Sequence, residues 1–68
     1  GRFRWRAVEL DYRLAREMFG RDELEPEELE EMMDRLAEEE GADDSVYIPD
    51  DLGGTPYGVL VLLWREGD

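Results

Sequence analysis

The sequence predicts a small α+β fold in the order β-α-α-β-β: a three-stranded, mainly antiparallel sheet with two helices packed on one face. Three observations carry that expectation. Residues 2–7 alternate strictly between arginine and apolar side chains, residues 29–37 repeat apolar side chains at helical spacing, and residues 59–64 are apolar without interruption.

In the opening segment, Arg2, Arg4 and Arg6 fall on one side and Phe3, Trp5 and Ala7 on the other. Period two with aromatics marks a half-buried strand, with the arginines as its solvated, charge-protected side. The alternation fails at Val8, and the strand is expected to end or bulge near there. Asp11 is placed to cap a short helix, "DYRLAREMF", in which Leu14, Ala15, Met18 and Phe19 cluster at helical spacing and which Gly20 stops. A start at Ala7 is the rival reading of this helix.

The second helix is the clearest element. Pro26 suits the first helical position, and Glu27 and Glu28 suit the first turn. Leu29, Met32, Met33, Leu36 and Ala37 follow the i, i+3, i+4, i+7, i+8 pattern, and Gly41 ends the run. Ser45 to Ile48 reads as a short strand, and "PDDLGGTPYG" as a connector of turn residues. The last strand, Val59 to Trp64 and extended through Tyr57 to Arg65, is apolar on both sides, which is the mark of a central strand.

At 68 residues the chain has room for one domain, 1–68, and for only a marginal core. It has no cysteine, histidine, lysine, asparagine or glutamine. Disulfide frameworks, zinc sites, thiol redox chemistry and histidine general bases are therefore excluded. No apolar run approaches a membrane span and the start carries no signal-peptide pattern, so a cytoplasmic location is expected.

The formal charge of −12 is unevenly placed. Residues 1–21 hold six arginines against three acids, residues 22–44 thirteen acids against Arg35, and residues 45–68 four acids against Arg65. The middle third holds the whole imbalance. Such asymmetry makes an electrostatic face rather than a uniform coat.

Catalytic constellations are hard to assemble from these residues. Ser45 and Thr55, the hydroxyl nucleophiles besides tyrosine, have no histidine, lysine or cysteine to activate them. The carboxylates of "EPEELEE" and "EEEGADD" have solvated spacings, with nothing to raise a pKa for acid–base work. "GADDSVYIPDD" lacks the alternating aspartates and closing glutamate of a calcium loop, and "LGGTPYG" lacks the lysine and strand–loop–helix order of a phosphate cradle. The Arg2–Arg6 strip puts its arginines and aromatics on opposite sides, so a single-stranded base could not meet both. No enzyme activity, cofactor or metal is expected.

From Glu25 to Glu40 the second helix carries nine carboxylates. At ~1.5 Å per residue this is one charge per ~2.7 Å of axis. Duplex DNA carries one per ~3.4 Å on each strand, or ~1.7 Å on both. Glu31–Arg35 is one favourable pair, but Glu27–Glu31 and Glu30–Asp34 are like-charged i, i+4 neighbours. Glu38, Glu39 and Glu40 stand at the helix end that prefers cations.

Such an arrangement works against the helix and for a binding role. The first expectation is a non-enzymatic acidic module that docks on a basic protein surface through Glu27, Glu28, Glu30, Glu31, Asp34, Glu38 and Glu39. By charge, not by sequence, this is how nucleic-acid mimics and nuclease inhibitors act. Direct binding to nucleic acid or membrane is not expected. The alternative is a structural or designed domain without a ligand, acidic through salt adaptation, genome composition or solubility. The missing lysine and the poor helix cap Glu25 speak against a conventional design.

The final strand adds one further expectation. Tyr57, Val59, Val61 and Leu63 lie on one side of it and Leu60, Leu62 and Trp64 on the other, while two helices cover one side only. A homodimer or partner contact through the sheet, with Trp64 as its anchor, would cover the second.

Overall fold

The computed structural model describes residues 2–49 and 55–67. It contains β1 (Arg2–Glu9), α1 (Tyr12–Phe19), α2 (Pro26–Glu39), β2 (Asp44–Ile48) and β3 (Val59–Glu66). The strands form one antiparallel sheet in the order β1-β3-β2, so the final strand is central and the domain is a small α+β unit in the order β-α-α-β-β.

Local chemistry sets the helix boundaries. The Asp11 carboxylate accepts the Leu14 N–H at 2.9 Å, and Gly20 closes α1 at φ 78°. At the start of α2 the Glu28 carboxylate accepts the Glu25 N–H at 2.9 Å, which satisfies an end donor that Glu25 as cap residue leaves open. At its end, Ala42 N–H donates to the Ala37 carbonyl and Gly41 N–H to that of Glu38, with Gly41 at φ 65°. This is a Schellman closure, and the positive φ is what a glycine supplies there.

The register decides which side of each strand meets the helices. Leu60 and Leu62 of β3 are fully covered, together with Leu10, Ala15 of α1 and Met32 of α2. Arg4 is paired with Trp64, Arg6 with Leu62 and Val8 with Leu60, so the even-numbered residues of β1 lie on the helix side. Phe3, Trp5 and Ala7 are paired with Arg65, Leu63 and Val61 and lie on the open side.

This corrects the reading of β1. The aromatics are the exposed side of the strand, and the arginines run toward the helices. The strand ends at Glu9, one residue past Val8, and Val8 shares the side that leads into buried Leu10. The arginines tolerate that side because their guanidinium groups find partners at its rim. Arg4 and Arg6 lie 4.8 Å and 5.9 Å from the Trp64 ring, and Arg6 pairs with Glu40 at 2.7 Å. Long stems cover apolar surface while the charged heads stay wet.

Tyr57 lies before β3 rather than in it. Its hydroxyl donates to the Asp22 carbonyl at 2.6 Å and accepts the Leu24 N–H at 3.0 Å, and its ring meets Tyr12 edge-on at 5.8 Å. One side chain thus ties the α1–α2 loop to the start of β3. The connector motif around Asp50, Asp51, Gly53 and Gly54 lies outside the described residues.

Candidate interaction surfaces

The acidic ridge follows from the period of α2. At ~100° per residue, Glu27, Glu30, Glu31, Asp34 and Glu38 fall within an arc of about 100°, opposite the arc of Leu29, Met32 and Leu36. All five are exposed, whereas Met32 is fully buried and Leu29 and Leu36 are half-buried against the core. Burying the apolar arc forces the carboxylate arc outward.

Within the ridge, Glu31 lies 3.9 Å from Arg35, whose guanidinium also sits 5.7 Å from the Phe19 ring. Among the described residues no ion pair engages Glu27, Glu30, Asp34, Glu38 or Glu39. Glu28 differs: it is half-buried and bound to both Arg21 and the Glu25 N–H, so it serves the start of the helix. Glu39 is exposed but stands to one side of the arc. Five of the seven acids expected to act together therefore share one face.

Trp64 belongs to neither the ridge nor the open side of the sheet. It is half-buried on the helix side, and its indole N–H donates to the Glu40 carbonyl at 3.0 Å. Its position ties the end of α2 to β3. Trp64 therefore lies off the uncovered side of the sheet, whose exposed apolar surface comes from other residues.

Those residues are Trp5, Phe3, Val46 and Ile48, at 65%, 54%, 49% and 48% exposure. Val46 and Ile48 are paired with Val61 and Val59, which puts them on the same side as Trp5. Sequence reasoning missed this set because alternation gives two sides without saying which is in. A usable signal was present: Leu10 shares parity with the arginines, and the chain enters the core at Leu10.

The remaining chemical candidates stay apart. Ser45 is exposed, and its N–H is held by the Asp44 carboxylate at 2.8 Å. Asp43 accepts the Arg65 N–H at 2.6 Å, and Thr55 is buried. Among the described residues no group of three acidic side chains converges as a metal site, and no helix is long and apolar enough to cross a membrane.

No protein-family model matches the chain, and neither a curated protein nor a solved structure matches it.

Proposed function

We propose that this chain is a small non-enzymatic binding module whose α2 ridge docks on a basic protein surface, in the manner of an inhibitor that mimics nucleic acid. The observation that carries the reading is the single arc of Glu27, Glu30, Glu31, Asp34 and Glu38, exposed along the side of α2 opposite its packed face. A groove that binds a polyanion presents arginine and lysine in rows, and a rigid row of carboxylates offers those cations a substitute for phosphates. Complementary fields speed encounter more than they deepen affinity, so the interaction is expected to be fast and strongly salt-dependent. The cost to α2 of like charges at i, i+4 spacing supports a role for the arc beyond folding.

The experiment has two steps. A basic protein retained on the immobilised chain at low salt and released at high salt supplies the partner. The triple reversal Glu30→Lys, Glu31→Lys, Asp34→Lys is then measured against that partner. An association rate lowered by about tenfold or more, with a shallower salt dependence, is the expected result. Unchanged affinity overturns the reading.

One observation favours the alternative of a ligand-free domain with a generally acidic surface: Glu9, Glu17, Glu23 and Glu66 are also exposed, away from the arc. In that case reversals on α2 and reversals at these scattered sites change every measured property alike.

A further inference from the structure

The side of the sheet facing away from the helices is an uncovered apolar surface centred on Trp5 and Val61, with Phe3, Val46 and Ile48 around them. Taking about 200 Å² for a whole aromatic side chain, the exposed fractions of Phe3 and Trp5 leave about 240 Å² open. Val46, Ile48 and the half-buried residues of β3 bring the patch to about 500 Å². Two such patches placed together bury about 1,000 Å², the lower bound for a specific interface.

We infer that this face is the interface of a homodimer, sheet against sheet, with the strands of the two copies antiparallel. Charge selects both the occupant and the direction. Arg65, paired with Phe3, lies at one end of the face, and Glu9, paired with Val59, at the other. A two-fold axis across the strands brings the Arg65 end of each copy over the Glu9 end of its mate, twice by symmetry. The parallel arrangement would set the Arg65 ends of the two copies together and their Glu9 ends together. With the axis at the level of Arg6 and Leu62, each Trp5 also falls over the other copy's Ala7, large against small. By the same axis Asp44, on the edge strand, falls over the other copy's Val46.

The charge of −12 per chain does not forbid this pairing. The α2 ridges occupy the outer sides of the dimer. Sheets ~10 Å apart with a helix of ~10 Å on each side separate the ridges by several times the ~8 Å screening length. The inference stands independently of what α2 binds.

Sedimentation of the intact chain through the micromolar range at physiological salt is the test. The expected mass is twice 8.0 kDa. Trp5→Glu and, from another strand, Val46→Glu should each raise the dimer dissociation constant by about tenfold or more. Because both positions are exposed, circular dichroism should show the fold unchanged in each variant. Glu9→Arg and Arg65→Glu should weaken the dimer singly and restore it together. A wild-type chain that remains at 8.0 kDa, or a dimer indifferent to Trp5→Glu and Val46→Glu, overturns the inference. A double charge swap that fails to restore what the single swaps lose overturns the antiparallel arrangement.

Discussion

The two sides of the sheet use similar residues to opposite ends. On the helix side, Leu60 and Leu62 are fully covered and the flanking strand contributes arginine stems. On the open side, Val61 and Leu63 are half-buried and the same flanking strand contributes Phe3 and Trp5, which remain mostly in water. Among the described residues five apolar side chains are fully buried, while two of the largest aromatics stand where they add little to that core. The difference teaches that apolar content and core are separate quantities here. The surplus is on a surface rather than in the core.

Truncation at the core should give the largest contrast. Leu62→Ala, at the centre of the covered side, should cost about 3 kcal/mol. Trp5→Ala, measured at a concentration too low for self-association, should cost less than about 1 kcal/mol. Urea midpoints for the two variants make the comparison, and equal losses would mean that the sides are not distinct.

A second change acts on both sides at once. Gly58 has φ 92°, and a Cβ there would lie 2.6 Å from the Ile48 carbonyl oxygen. Gly58→Ala should therefore cost about 2 kcal/mol or more through backbone strain, and it should displace β2 from β3. Hydrogen exchange at Val46 and Ile48 should quicken while that at α1 stays slow. Uniform quickening would show that the hairpin and the helices open together.

The smallest effect lies on the outer surface of the helix layer. Glu38→Lys removes a carboxylate from the end of α2 that prefers cations and should stabilise the fold by about 0.5 kcal/mol. Added salt should likewise raise the wild-type melting temperature, by screening self-repulsion, and raise it less in the variant. A melting temperature that is flat or falling from low to physiological salt would contradict this.

Much of the fold was legible because its signals were local. Asp11 and Gly20 bound α1, Pro26 opens α2, and the two-sided apolar run identifies β3 as central. The acidic arc was legible for the same reason, since helical period and packing fix it together. The orientation of β1 was not. A period of two is symmetric, and the choice between its sides depends on Arg4 and Arg6 finding Trp64 and Glu40 across long stretches of chain. Tyr57 was misplaced for a related reason: its hydroxyl bonds reach Asp22 and Leu24, more than thirty residues away, and its ring meets Tyr12 of α1. Glu28 counted as a ridge acid by composition, yet its bonds to Arg21 and to the Glu25 N–H make it part of the helix start.

The central place of β3 sets the order of events as the chain is made. A ribosome that has delivered residues 2–58 has produced both helices and both outer strands, yet no two of these strands are neighbours. Every ladder in the sheet waits for Val59–Glu66, and with it the burial of Leu60 and Leu62. Translation therefore runs almost to the end of this segment with its aromatics unclaimed and its strand edges unpaired, the condition that chaperones recognise and that promotes aggregation. The dense negative charge of residues 22–44, already present on the nascent chain, would keep such incomplete copies apart until the last strand arrives.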